Sequence, residues 1–126
     1  MNETIPSGIR LQRLIQNSHT DILNREKNND RFMHLYHIGV YWVAFERSAY
    51  RLCDLFLENE LSLFRVPEYP EYVVMASVPA DEAEPYFSKH NVSGDGTYHK
   101  VRFDDSLLAV DYCHWRQLHR YLGCQC

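Results

Sequence analysis

The sequence lacks the long apolar segments that would place it in a membrane. No stretch approaches the roughly 18 consecutive apolar residues of a spanning helix. Residues 1–17 also lack the apolar core behind basic residues that marks a signal peptide. We therefore expect no membrane partner and a cytoplasmic location, where the four cysteines are thiols.

The cysteines do not form the two ligand pairs that a structural zinc site usually has. Cys124 and Cys126 form a close pair, with Cys113, His114 and His119 upstream. Structural zinc sites usually combine two well-spaced pairs of ligands, and the second pair is missing here. Two exposed thiols beside an aromatic helix give the same pattern without zinc, so we expect no metal.

Positive charge is in deficit. The chain has 13 Lys and Arg against 17 Asp and Glu, which gives a net charge of −4 and a pI near 5.9. This balance excludes a protein that grips nucleic acid through bulk positive charge.

Glycine is scarce too, and the motifs of nucleotide chemistry are absent. There are five glycines and no Gly-x-x-x-x-Gly-Lys phosphate loop, His-Glu-x-x-His, Gly-x-Ser-x-Gly or Cys-x-x-Cys motif. We expect no nucleotide, no cofactor and no catalytic residues. The seven histidines leave one enzymatic alternative, an acid–base pair such as His37 with Asp54, which nothing in the spacing forces together.

What is present is an aromatic-rich globular composition. The 126 residues are 45% hydrophobic and 13% aromatic, which predicts one domain over 1–126. The element order reads α, β-β-α, β-β-α, β-α. This order predicts an α/β fold with a central mixed sheet of about five to six strands flanked by helices. A helix over 8–27 and another over 105–122 are expected to pack on the sheet.

The other elements follow from periodicity and turn residues. Strands are predicted over 32–38, 40–45, 61–66, 72–78 and 98–103. An apolar stripe predicts a helix between the second and third strands: Phe45, Ala49, Leu52, Cys53 and Phe56. Asp81, with Glu84 three residues on, is expected to cap the next helix, and Asp104-Asp105 to open the last one.

One strand carries a candidate phosphate contact. Lys100 and Arg102 share a face of the strand over 98–103, and Tyr98 lies on the same face. Such a face either touches phosphates or is simply solvated, and the sequence leaves both alternatives open.

The segment Leu35–Leu55 carries a resemblance to a known family. It reads Leu-Tyr-His-Ile-Gly-Val-Tyr-Trp-Val-Ala-Phe-Glu-Arg-Ser-Ala-Tyr-Arg-Leu-Cys-Asp-Leu. It resembles the N-terminal mismatch-recognition domain (domain I) of the MutS DNA mismatch repair proteins. Gly39 matches the family glycine, Tyr41 its stacking phenylalanine and Trp42 its tyrosine. Phe45 matches the family's second phenylalanine, and Ala49 its helix alanine.

A second segment extends the resemblance over roughly 31–103. Val74–Pro79, followed by Glu84 and Tyr86, is similar to the family's Pro-Met-Ala-Gly-Ile-Pro strand and its Glu-Asn-Tyr helix. Two departures affect the reading motif. Val43 occupies the position of the glutamate that hydrogen-bonds a mispaired base in the family, and Val40 that of the aspartate after the glycine.

The resemblance implies a non-enzymatic module that associates with DNA or RNA. It is similar in size to the small MutS-like accessory proteins of bacterial diversity-generating retroelements, which implies a reverse transcriptase or another protein as a partner. The candidate nucleic-acid-binding residues are Gly39, Tyr41, Trp42, Arg47, Lys100 and Arg102.

The alternative is a protein–protein interaction module that keeps the MutS-like fold without DNA binding. The charges around Tyr41 distinguish the two interpretations. Cations around Tyr41 would favour nucleic-acid binding, and the candidates are Arg31, Arg47, Arg51, Lys89 and Lys100. Acidic neighbours would favour a protein partner.

Overall fold

The computed structural model describes residues 7–90 and 92–123, and the side chains of 8–90 and 92–118. Ten elements follow along this part of the chain: α1 Ser7–Glu26, β1 Phe32–Ile38, β2 Tyr41–Phe45, α2 Glu46–Leu55, β3 Glu60–Phe64, β4 Val73–Pro79, α3 Ala80–Phe87, β5 Val92–Gly94, β6 Tyr98–Arg102 and α4 Ala109–Gly123. Cys124, Cys126 and the side chain of His119 lie outside the described residues.

The six strands form one sheet in the order β3-β4-β2-β1-β6-β5. The predicted α/β class, with a central sheet flanked by helices, is confirmed. The expectation of mixed strand directions is wrong, because every neighbouring pair is antiparallel. The helical crossovers through α2 and α3 join strands that run the same way, but at least one antiparallel strand always lies between them.

Each face of the sheet has its own apolar cluster, because side chains alternate along a strand. One face packs Leu35, Trp42 and Val101 against Ala49 and Leu52 of α2 and against α3. The other face packs Tyr36, Val43, Phe45 and Met75 against Ile22 of α1. The helix predicted over 8–27 therefore covers one face as a single helix, and the remaining helices contact the other.

A tight hairpin joins β1 and β2. Ile38 pairs with Tyr41, so the loop consists of Gly39 and Val40 alone. Gly39 has a φ of 62°, the conformation that a two-residue turn with glycine at its first central position requires. The loop is fastened to the neighbouring helix by the Ala80 N–H, which donates to the Val40 carbonyl at 2.8 Å.

Two helix starts differ from the sequence prediction. Asp104-Asp105 do not open the last helix, which begins at Ala109, because the preceding loop is held in an irregular path by bonds from Phe103 N to Arg31 O and from Leu107 N to Asp30 O. Asp81 does not cap α3. Pro79 is the N-cap residue, and Asp81 lies in the first turn, where its charge still opposes the helix dipole.

Candidate nucleic-acid interface

An aromatic and basic surface lies on β1 and β6, on the side of the sheet that α1 partly covers. The register pairs Phe32 with Arg102, His34 with Lys100 and Tyr36 with Tyr98, so these side chains share a face. We call Phe32, His34, Tyr98, Lys100 and Arg102, together with Arg25 of α1, the aromatic–basic strip.

The rings of the strip form a continuous row. Phe32 and His34 have centroids 6.1 Å apart with an interplanar angle of 28°, and His34 and Tyr98 follow at 6.0 Å and 16°. His34 Nδ1 and the Tyr98 hydroxyl are hydrogen-bonded at 2.6 Å. His34 is buried, so the row presents the partly exposed rings of Phe32 and Tyr98, and the hydrogen bond fixes Tyr98 against His34.

Cations stand over both ends of the row. Lys100 Nζ lies 4.9 Å from the centroid of Phe32, and Arg25 Cζ lies 5.3 Å from that of Tyr98. Phe32, Lys100 and Arg102 also line a recess of about 400 Å³ together with Val92 and Ser93 of β5. None of the described residues that line this recess is acidic, so the local charge is positive although the whole chain is negative.

The charge of the strip is carried by its lysine and arginines rather than by its histidine. Burial, and then the positive charges of Arg25 and Lys100, lower the pKa of His34 to about 4. The imidazole is therefore neutral at neutral pH. It acts as an aromatic ring and a hydrogen-bond partner of Tyr98.

Tyr41 lies apart from the strip, at the hairpin tip formed by Gly39, Val40 and Tyr41. It pairs with Ile38, which is four residues further along β1 than His34, or about 13 Å of strand. Tyr41 is 39% exposed and Val40 is 67% exposed. The tip therefore presents an apolar surface, beside the start of α3.

Trp42 does not contribute to a binding surface, and its prediction as a nucleic-acid contact is corrected. Its side chain is 2% exposed and is stacked between the rings of His37 at 4.7 Å and His99 at 4.2 Å. Strand alternation places Tyr41 on the α1 side of the sheet, with Val43 and Phe45, and places Trp42 on the opposite side, where it packs in the cluster with α2 and α3. Val43, at the family's base-reading position, is also 2% exposed and packs in the α1-side cluster.

The cations expected around Tyr41 lie elsewhere. Arg47 follows the far end of β2, where its guanidinium lies 5.1 Å from the Tyr112 ring centroid. Arg31 donates to the Asp104 carbonyl, and buried Arg51 donates to the carbonyls of Asp30 and Asp105. Lys89 follows the end of α3 that is remote from the tip. Of the five, Lys100 alone belongs to the strip.

Acids lie nearer to Tyr41 in the fold. Asp81 and Glu82 are exposed in the first turn of α3, the helix whose first N–H binds the hairpin loop. By the charge criterion, the tip suits a protein partner better than a phosphate backbone.

Sequence analysis missed a cluster of buried acids at the start of α2. Glu26 accepts from Ser48 N at 2.9 Å and from Ser48 Oγ at 2.6 Å. Glu46 accepts from Val74 N at 2.8 Å, Tyr112 Oη at 3.1 Å and Arg116 Nε at 3.2 Å. Burial raises the pKa of Glu26 to about 7, against the opposing effect of its hydrogen bonds. No spacing in the sequence signals that these glutamates are buried.

A cavity of about 430 Å³ adjoins this cluster. Its wall includes Asn28, Glu46 and Glu68, with φ values of 60°, 52° and 67°. Both buried carboxylates accept hydrogen bonds from donors of the protein itself. The cluster therefore acts as an internal support for α2.

The other candidate chemistry is not assembled among the described residues. His37 Nδ1 bonds to the Gly96 carbonyl at 3.2 Å, and no hydrogen bond or ion pair joins it to Asp54 within residues 8–90 and 92–118. No group of three or more His, Cys, Asp or Glu in the described part of the chain is placed to hold a metal ion. None of the helices described is both long and apolar enough to cross a bilayer.

Comparison with protein-family models, curated proteins and solved structures found no match to this chain. The resemblance to the MutS mismatch-recognition domain therefore stays a prediction.

Proposed function

We propose that this chain is a non-enzymatic nucleic-acid-binding module that uses the aromatic–basic strip to bind unpaired bases of DNA or RNA. The observation that carries the proposal is the pair of partly exposed rings, Phe32 and Tyr98, held on either side of buried His34 on one sheet face, with Arg25, Lys100 and Arg102 around them. Exposed aromatic rings on a sheet stack unpaired bases, while cations beside them meet the phosphates.

The interaction energy comes mainly from stacking. A base on an aromatic side chain contributes about 1–3 kcal/mol. Phe32 and Tyr98 are both half-buried, so each has a free part of its ring and a fixed part. Bases inside a duplex are already stacked on each other, which favours single strands, ends and mispaired sites as ligands.

The experiment is a fluorescence anisotropy titration at low salt. Its probes are labelled single-stranded DNA and RNA of about 12 nucleotides, with matched and mismatched duplexes for comparison. Phe32→Ala is expected to weaken single-strand binding about 5- to 150-fold, the equivalent of one lost stacking contact. Lys100→Ala tests the cation separately, and Arg10→Ala is the control, since Arg10 is exposed on α1 outside the strip.

Two results would contradict the proposal. One is that no single strand binds at high micromolar protein. The other is that Phe32→Ala and Lys100→Ala bind as tightly as the wild type. Tyr41→Ala belongs in the same series, because the resemblance to the MutS domain assigns the stacking role to Tyr41 and the strip assigns it to Phe32.

The second candidate function, protein–protein interaction, is favoured by the hairpin tip. Val40 and Tyr41 are exposed apolar residues next to Asp81 and Glu82. Such a surface fits a partner with an apolar pocket and a basic rim. If Tyr41→Ala leaves nucleic-acid binding intact but abolishes assembly with a partner protein, the tip and the strip have separate functions.

A further inference from the structure

The sheet has an open edge at β3. Strand β4 is the one strand that pairs with β3 in the described part of the chain, so the outer main-chain groups of Glu60–Phe64 face away from the sheet. Natural proteins commonly protect such edges with lysine, proline or bulges. Glu60–Phe64 contains no lysine or proline, and its ladder with β4 is regular over all five residues. Glu60 is its one charged residue, and α4 lies close to the strand.

An apolar groove runs beside this edge, between α1 and the sheet. It has a volume of about 560 Å³, and its walls are formed by Leu11 and Ile15 of α1 and by Phe64 and Met75 of the sheet, among others. Since Ser62 pairs with Met75 and both line the groove, the groove lies on the α1 side of β3. We call it the α1–β3 groove.

We propose that the α1–β3 groove binds an extended acidic peptide, which adds to β3 as a seventh strand. An added strand lies about 4.8 Å from β3 and projects alternate side chains to the α1 side of the sheet. These side chains would enter the groove, and the main chain would bond to the open edge. Affinity then comes from the backbone, and specificity from apolar residues at every second position.

The charge of the groove selects the acidic character of the peptide. Arg65 lines it, and the described lining residues include no carboxylate. Arg65 is exposed at the end of the strand, where it can meet a carboxylate without being desolvated.

The experiment is selection from a phage-displayed random library of peptides of about eight residues, with the full chain as bait. Selected peptides are expected to alternate apolar and polar residues and to carry an acid. A labelled consensus peptide is then titrated against variants. We expect Leu11→Glu to weaken binding at least 10-fold, or about 1.4 kcal/mol. Arg65→Glu is expected to weaken binding of the consensus peptide several-fold. A second peptide, in which lysine replaces the acid, is expected to bind Arg65→Glu more tightly than it binds the wild type. Arg10→Glu is the control.

Backbone pairing is tested with the same peptide. Methylation of alternate amide nitrogens removes its strand hydrogen bonds, and this is expected to abolish binding. Amide shifts in a nuclear magnetic resonance titration should be concentrated in Glu60–Phe64. Selection of peptides that bind wild type and both variants equally, or selection of none, would overturn the proposal. So would a dimer in light scattering that Leu11→Glu dissociates, since a second copy would then be the occupant.

Discussion

Two adjacent aromatic side chains of β2, Tyr41 and Trp42, have opposite environments. Tyr41 is 39% exposed and Trp42 is 2% exposed. The indole Nε1 of Trp42 has no hydrogen-bond partner among the described residues, so the indole is held by ring packing. The residue that serves stability and the residue free for recognition are therefore neighbours in sequence.

Alanine substitution should separate the two roles. Trp42→Ala removes a large buried ring and is expected to lower the free energy of unfolding by about 3–5 kcal/mol. Tyr41→Ala is expected to lower it by about 1 kcal/mol or less, because the ring is at a hairpin end. Trp42→Phe, which keeps an aromatic ring and removes the unpartnered N–H, should cost much less than Trp42→Ala. Urea denaturation followed by circular dichroism measures all three, and a larger loss for Tyr41→Ala would contradict the assignment of faces.

Glu26 makes stability depend on pH through a single buried carboxyl group. Its pKa is about 7 in the folded chain, against 4.5 for an unperturbed glutamate. The folded state therefore holds the proton more tightly, and the stability this gives is fully present below about pH 4.5 and is lost as the pH rises through 7. His34 acts in the opposite direction: its pKa is lowered from 6.5 to about 4, so its contribution is present above about pH 6.5 and is lost as the pH falls.

Glu26→Gln should isolate the glutamate from the histidine. Between about pH 5 and pH 8, the free energy of unfolding of the wild type is expected to fall relative to that of Glu26→Gln, by up to about 3 kcal/mol. Taking the difference between the two proteins cancels the His34 contribution, which both share. Chemical denaturation at several pH values measures it. A difference that is constant over this range would show that Glu26 does not titrate there.

At the scale of elements, side chains at the start of α2 supply hydrogen bonds that β2 would supply if it were longer. Strand β2 ends at Phe45, while β1 and β4 on either side continue to Phe32 and Val73. The N–H groups left open are bound by side chains: Ser48 Oγ accepts from His34 N at 2.9 Å, and Glu46 Oε2 accepts from Val74 N. Glu46 has a φ of 52°, an unfavourable conformation that these bonds stabilise.

Ser48→Ala should show how much these hydrogen bonds contribute to stability. The buried His34 N–H would lose its acceptor and Glu26 one donor, which is expected to lower the free energy of unfolding by about 1–3 kcal/mol. Thermal denaturation measures the loss. Ser88→Ala, on an exposed hydroxyl after α3, is the matched control and should change stability by about 0.5 kcal/mol or less. Equal effects of the two substitutions would mean that the Ser48 bonds do not stabilise α2.

The local elements were predictable from sequence, but the way in which they combine was not. The run of aromatic and β-branched residues over 32–45 predicted β1 and β2, and Gly39 separated them, because both signals are local. The start of α4 was predicted too early because Asp104-Asp105 look like caps. Instead, distant carbonyls of Asp30 and Arg31 accept the N–H groups of that loop, and no local pattern reports such a bond.

At the scale of the whole molecule, the candidate strip depends on the pairing of β1 with β6. Lys100 and Arg102 were predicted to share a face with Tyr98, and the register confirms this. That Phe32 and His34 lie opposite them was not predictable, because the two strands are separated by six other elements. The buried environment of Trp42 was missed for a related reason: alternation gives two faces, and only the helices that pack on them determine which residues remain accessible.

The net charge of −4 makes the salt dependence of binding a sharp test of the strip. The strip offers Arg25, Lys100 and Arg102, and each phosphate contact with a single strand contributes about 0.7 to the slope of log K against log salt. We expect a slope of about −2 in anisotropy titrations from about 20 to about 200 mM salt, falling to about −0.7 when Lys100→Ala and Arg102→Ala are combined. Phe32→Ala should lower affinity at every salt concentration without changing the slope, because stacking releases no counterions. A slope that is unchanged in the double variant but reduced by Arg10→Ala would place the phosphate contacts near Arg10, outside the strip.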